Sequence, residues 1–462
     1  MTTWLNSISP ATEENSSTRL ELTDGSSIAV VGGGPAGSFF SYFILEMTKR
    51  LAMEVQVYIY EPRDFYIPGP TGCNMCGGVV SESLVQLLAT EGINLPPTVV
   101  QRGIASYMLH TDVGSVCIET PLHEKRIAAV HRGAGPRDLK HHTWSSFDAY
   151  LQELVLAKGA RLIRDRVDEV ACVDGRPQVK TRRGVCETHD LVAIAVGVNS
   201  PTLKGFQNPV PNYKPPQTTK TYICEYALGR EIISQYLGDS MHVFLLNIPR
   251  LEFAAVIPKG EYVSVCLLGE EIDAPMIKAF FASPAVKRCF PAEMNFELPS
   301  CHCAPRINTA AAVQPFADRM VFIGDSGVTR LYKDGIGGAY RTAKAAATTA
   351  VFHGISAEDF HRHYWPTCRR IDADNKIGKA LFAVARIWQK RPCDLRGMLR
   401  MASAEQMTRG LSPRMSMVLW DLFTGSAPYR EILRRAVHVA FLGRFLWSVI
   451  IANLPRKNGN NS

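Results

Sequence analysis

A short apolar run that ends in three consecutive glycines constrains this chain more than any other feature. Ile28 to Val31 is wholly apolar, the pattern of a parallel strand buried on both faces. It leads directly into Gly32-Gly33-Gly34-Pro35-Ala36-Gly37, which fits G-x-G-x-x-G, and then into a helical stretch from Ser38 to about Ala52. Val55 to Tyr60 alternates and is rich in β-formers, so the segment is predicted as a βαβ unit. In such a unit Gly32 permits the tight turn. Gly34 lets the backbone approach a pyrophosphate, and Gly37 lets helix and strand pack closely. The helix N-terminus adds oriented N–H groups and a partial positive charge. Gly32, Gly34, Ala36 and Gly37 are therefore candidate cofactor-binding residues. The motif also needs an acid at the end of the second strand to take ribose hydroxyls. Glu61 is that acid, 29 residues past Gly32, against the usual spacing of about 20. A long first helix and its exit loop would absorb the excess. The alternative is a glycine-rich turn that holds nothing.

A second set of residues lies almost three hundred positions on. Met320 to Ile323 reads as a strand ending in Gly324-Asp325, followed by a small, polar turn, Asp334-Gly335-Ile336-Gly337-Gly338, and an alanine-rich helix from Ala339 to His353. Asp325 alone also reads as a helix cap. Together with the first motif, these residues resemble the geranylgeranyl reductase family, within the wider group of hydroxylase-like FAD enzymes. The resemblance covers roughly Ile28 to Ala347. It implies that Asp325 binds the ribityl and phosphate end of a flavin. It also implies that Gly337 and Gly338 place a helix N-terminus near the isoalloxazine ring. Cys76-Gly77-Gly78 is similar to the family's loop beside the flavin. Arg132 and the segment from Phe147-Asp148 to Gly159-Ala160 are similar to a further family motif, here with residues 133–146 inserted. Ala254 to Gly260 lacks the aromatic residues that the family carries in the matching substrate-domain strand.

The resemblance implies FAD as cofactor and reduction of carbon–carbon double bonds in an isoprenoid or similar hydrophobic molecule. Cys76 would be the catalytic residue, orienting the acceptor or relaying a proton. Two rivals stand beside this reading: an FAD monooxygenase that hydroxylates or epoxidises a hydrophobic substrate, and a non-catalytic membrane-binding flavoprotein. There is no second dinucleotide fingerprint. NAD(P)H would then bind transiently, or an electron-transfer protein would reduce the flavin.

A chain of 462 residues exceeds one ordinary core. The expected α/β architecture has a Rossmann-type FAD-binding domain with a parallel sheet (28–204, with a return segment at 319–356). A β-rich substrate domain (205–318) and a helical, basic C-terminal region (357–462) complete it. Residues 1–27 are polar, lack a signal-peptide pattern, and read as a disordered tail. The 12 cysteines form no dense framework and read as reduced thiols of a cytoplasmic protein. Cys73 and Cys76 form C-x-x-C, a zinc half-site or redox dithiol, but Cys301-x-Cys303 is a poor complement, so no metal is expected. The net charge of +8 conceals an asymmetry: His361 to Ser462 holds 18 Lys and Arg against 6 Asp and Glu. No nucleic-acid module accompanies that charge, and nucleic acid is not expected as a partner. Ala436 to Leu454 is nearly all apolar, with Arg444 near its middle. It reads as a helix lying on a membrane, a packing helix, or a span that Arg444 would make costly.

Overall fold

The computed structural model describes residues 19–73, 76–120, 127–136, 145–207, 209–408 and 412–455. Its first sheet has six strands in the order Phe316–Ala317, Met320–Phe322, Leu191–Ile194, Ser27–Val31, Gln56–Tyr60, Arg161–Ile163. All pairs are parallel except the 316–317 edge. The order of connection reverses on either side of Ser27–Val31. That switch point leaves a crevice outside the carboxyl ends of the strands. Helix Pro35–Arg50 packs across the sheet against helices Phe147–Ala157 and Gly335–Phe352. Phe39, Phe40 and Phe43 fill the space between sheet and helices. Ala343, Ala346, Ala347 and Ala350, all buried, keep the last helix close. The predicted βαβ unit and the return of the 320–322 strand are both present.

Residues 19–27, expected to belong to a disordered tail, are ordered. Leu22 is buried, Gly25 N donates to Glu54 O, and Leu20 O accepts from Ile355 N. The rest of that expected tail lies outside the described residues.

The second sheet has seven strands in the order Cys301–Cys303, Tyr222–Ala227, Tyr262–Gly269, Leu251–Lys259, Ser240–Leu245, Ser106–Thr111, Gly114–Glu119. Residues 106–119, placed by the sequence reading inside the first domain, thus extend the substrate sheet through a parallel pairing with Ser240–Leu245. Strand Leu251–Lys259 is buried along its whole length, because both faces are covered. Phe253, Ala255 and Ile257 face the C-terminal helices, while Ala254 and Val256 join the core around Phe280 and Phe281.

The C-terminal region is helical as expected: Trp365–Gln389, Pro392–Met407, Arg414–Thr424, Tyr429–Ala436 and Val439–Asn453. The apolar run 436–454 is not one helix. It breaks at Val437–His438 with a bend of 64°, and among the described residues no single helix is long and apolar enough to cross a membrane. Gly397 lets the last helix approach closely, since a Cβ there would lie 2.3 Å from Val449. Arg444 turns inward: its Nη2 lies 3.1 Å from Glu405 Oε1. Glu405, buried, also accepts from Met415 N, Ser416 N and Ser416 Oγ at 2.8–3.1 Å. Glu405→Ala would leave two backbone donors and one guanidinium without their acceptor. It should cost about 3 kcal/mol, read as a lower denaturant midpoint.

Candidate functional site

The glycine turn is built by close approach. Gly32 has φ +107°, and a Cβ there would sit 2.6 Å from Ala195 O at the end of the neighbouring strand. A Cβ on Gly37 would sit 1.9 Å from Gly32 O. Gly34, Pro35 and Ala36 line a cavity of about 510 Å³, whereas Gly37 stays behind its wall. The helix starting at Pro35 has no acid in its first turn, so its N-terminal partial charge is left for a ligand. Glu61 is buried under the turn. Its Oε2 accepts from Gly33 N (2.9 Å) and its Oε1 from Arg63 N and Nε (3.0 and 3.1 Å). Gln152 Nε2 donates to Gly33 O at 3.0 Å. Glu61 also lines the cavity, with lone pairs left for hydroxyl donors.

The far segment lands on the same turn. Gly324 has φ +60°, and a Cβ there would lie 2.6 Å from Ala36 Cβ. Asp325 follows in a short 3₁₀ turn and lines the cavity. Ser326 Oγ accepts from Gly197 N (3.0 Å) and Tyr213 Oη donates to Ser326 O (2.7 Å). Asn308 Nδ2 donates to Asp325 O at 3.0 Å, and its Oδ1 is buried with no partner. Burial raises the Asp325 carboxyl and Arg132 opposes the rise. Arg132 is held by a bidentate pair with buried Asp148, at 2.9 and 2.8 Å. Burial works against its charge, but Asp148 more than compensates.

Cys76, Gly77 and Gly78 form the third wall. A Cβ on Gly77 would lie 2.8 Å from Cys266 Sγ, and one on Gly78, at φ +69°, would lie 1.9 Å from Val130 O. The loop thus rests on the large sheet at Gly77 and on the neighbouring strand Ile127–Val130 at Gly78. Gly78 N donates to Cys76 Sγ at 3.4 Å, and Arg132 lines the same cavity. Beneath lies a buried polar group: Lys259 Nζ is 3.3 Å from Glu225 Oε1, and Ser264 Oγ donates to the same oxygen at 2.7 Å. Burial would raise Glu225, but Lys259 and His131 hold it down at about 2. No disulfide joins any of the 12 cysteines.

Two assigned glycines are placed differently. Gly337 and Gly338 do not line the cavity; Gly335, Ile336 and Ala339 do. Cβ atoms on Gly337 and Gly338 would meet Asp334 Oδ1 (2.1 Å) and Thr329 Oγ1 (2.6 Å). These glycines let the helix fold tightly onto its own preceding loop, which brings the helix start to the cavity. The helix also begins earlier than the alanine run, at Gly335.

Several lining or supporting residues have no sequence signal of their own. Gln152, Lys259 and Glu225 are polar residues in largely apolar helices or strands, and Asn308 sits in the short mixed strand Arg306–Ala310. Lys333 lines the cavity, and burial drives its amine well below the usual lysine value. Its Nζ donates to Asp421 O (2.6 Å) and to Leu422 O. Arg330 Nη1 donates to Gly425 O at 2.6 Å. These bonds bring Phe423 and Thr424 of the C-terminal region to the cavity wall. The part of the wall that the large sheet supplies is largely apolar, with Met241, Phe253, Ala255, Ile257 and Leu268.

No family model and no curated protein matches the chain. Solved structures do. A geranylgeranyl bacteriochlorophyll reductase-like protein from Thermoplasma acidophilum superposes with a TM-score of 0.62 at 14% identity, over 90% of this chain and 99% of its own. A p-nitrophenol 4-monooxygenase from Pseudomonas putida gives 0.56 at 12% identity, over 88% and 100%. The halogenase PltM, in complex with phloroglucinol and FAD, gives 0.57 at 12% identity, over 92% and 91%. The chain therefore has the fold of these proteins, with a largely parallel six-stranded sheet, a second β-rich sheet and a helical C-terminal region.

Proposed function

We propose that this chain is an FAD-dependent oxidoreductase that reduces carbon–carbon double bonds of an isoprenoid or another hydrophobic molecule. The observation that carries the reading is the approach of Gly324 to Ala36, which gathers both distant motifs around one cavity. The residues present fit the dinucleotide. Glu61 would take ribose hydroxyls, and the helix starting at Pro35 would take the pyrophosphate. Asp325 and Asn308 Oδ1 would face the ribityl end, with Arg132 beside them. When bound and reduced, FAD supplies a hydride.

The chain's own residues would then orient the acceptor, exclude water and deliver a proton. Phe253, Ile257 and Phe423 would seat an apolar chain against the site. Cys76 would orient the acceptor carbon or pass it a proton, with Arg132 lining the same cavity. NAD(P)H as a transient electron donor belongs to the same proposal. A monooxygenase is the second reading, favoured by the likeness to the p-nitrophenol enzyme and the halogenase. The two differ in their need for oxygen. The chain incubated with NADPH and a polyprenyl substrate should give reduced product under strict anaerobiosis; product formed only with oxygen would establish the second reading. Cys76→Ser should retain FAD while turnover falls about a hundredfold or more.

The C-terminal helix bears on where such a substrate would come from. Phe441, Phe445 and Ser448 of Val439–Asn453 are buried, while Val439, Leu446, Trp447 and Ile450 are 55–80% exposed. An apolar face on a basic region favours peripheral contact of a cytoplasmic protein with an anionic membrane. Wild-type protein should sediment with vesicles containing phosphatidylserine, and Leu446→Glu/Trp447→Glu should stay in the supernatant with its flavin content intact.

A further inference from the structure

Two strands of the large sheet carry histidines that meet across their parallel pairing. His110 lies on Ser106–Thr111 and His242 on Ser240–Leu245. His110 Nε2 is 2.9 Å from His242 Nδ1. Cys289, just past the short helix Pro284–Lys287, places its Sγ 3.3 Å from His242 Nδ1 and 3.7 Å from His110 Nε2. All three residues are buried, among Phe244 and Phe280. None of them lines the flavin cavity.

The three atoms form a triangle close to that of a metal's ligand shell. Zinc–nitrogen bonds of about 2.0–2.1 Å and a zinc–sulfur bond of about 2.3 Å at tetrahedral angles require separations of about 3.3 Å between nitrogens and about 3.6 Å between nitrogen and sulfur. The observed spacings differ from these by a few tenths of an ångström. The outer ring nitrogens are anchored as metal-binding imidazoles usually are. His110 Nδ1 is 2.8 Å from Ser115 Oγ, and His242 Nε2 faces Leu237 O at 3.4 Å. A carbonyl only accepts, so His242 carries its proton on Nε2 and points the Nδ1 lone pair at the cluster. Burial holds both rings neutral, His110 at about 3 and His242 at about 4. Burial pushes the Cys289 thiol up to about 12, and Arg288 acts in the opposite direction. Without an ion the same atoms form a hydrogen-bonded core chain running from Ser115 to Leu237.

We propose that His110, His242 and Cys289 form a structural site for a thiophilic d¹⁰ ion, zinc(II) or copper(I), that clasps the segment following helix Pro284–Lys287 to the parallel pair of the large sheet. A donor set of two imidazoles and one thiolate, with no carboxylate, excludes magnesium and calcium. Three protein ligands complete a trigonal copper(I) site; zinc(II) would need a water in a fourth position. Binding releases the thiol proton to solvent and the ion takes its place at the sulfur, while the His110 proton moves from Nε2 to Nδ1, facing Ser115 Oγ, so that its Nε2 lone pair meets the ion.

The test uses the full-length flavoprotein, stripped with chelator and reconstituted anaerobically with zinc(II), cobalt(II) or copper(I). Bound metal is measured by mass spectrometry after gel filtration, and cobalt by its thiolate charge-transfer band. The expected result is about one equivalent of zinc or copper, and a cobalt–thiolate band. His242→Ala and Cys289→Ser should each lower metal content about tenfold or more, with FAD content unchanged. Wild-type protein that retains none of the three ions would overturn the proposal, whatever the variants do. So would equal metal content in wild type and both variants.

Discussion

The architecture turns on one contact that tolerates no side chain. Gly324 meets Ala36 so closely that a single added carbon would fall 2.6 Å from the alanine methyl. The strand that brings Gly324 there, Met320–Phe322, lies beside Leu191–Ile194, which lies beside the strand feeding the glycine turn. Three strand ends therefore deliver their loops to one place: Gly32 to Gly37, Ala195 to Gly197, and Gly324 to Ser326. The hydrogen bond from Gly197 N to Ser326 Oγ ties the second loop to the third. A cavity between such loops is a consequence of strand order, because the chain reverses direction across the sheet at Ser27–Val31.

The rest of the molecule closes that cavity. The large sheet supplies its apolar wall. Cys76-Gly77-Gly78 is pressed onto that sheet at Cys266 and Ile257. The C-terminal helices are part of the enclosure: Lys333 and Arg330 bind backbone carbonyls at the end of the Arg414–Thr424 helix and hold Phe423 at the wall. A lysine and an arginine taken out of water need such partners. Here the partners are carbonyls in and just past the last turn of a helix, where acceptors lack a full set of intrahelical donors.

The local parts of this arrangement were legible in the sequence. The βαβ unit follows from periodicity and from glycines whose neighbours are close in the chain. Glu61 was placed by its position after a strand, and Asp325 by the resemblance of its segment to a known family. Non-local parts were not legible. Residues 106–119 read as strands, but nothing in them says that their parallel partner is Ser240–Leu245. The resemblance made Gly337 and Gly338 cofactor-binding glycines that set a helix start near the ring, and the atoms they avoid belong to Asp334 and Thr329. A glycine shows that something comes close, without saying what. The apolar run 436–454 lacks proline at its break; His438 ends one helix and caps the next through Nδ1, which accepts from Ala440 N at 3.2 Å. Gln152 and Asn308 act through atoms more than a hundred and about seventeen positions away respectively, beyond any local pattern.

The central claim is that both glycine-bearing turns enclose one flavin. FAD titrated into flavin-free protein, followed by quenching of its fluorescence, measures that directly when wild type is set beside Gly324→Val. The account predicts saturable binding at one FAD per chain for wild type. For the variant it predicts binding weakened by at least about a hundredfold while the far-ultraviolet dichroism of the fold persists. A wild-type chain that binds no FAD, or a folded Gly324→Val variant that binds it as tightly, would contradict the account.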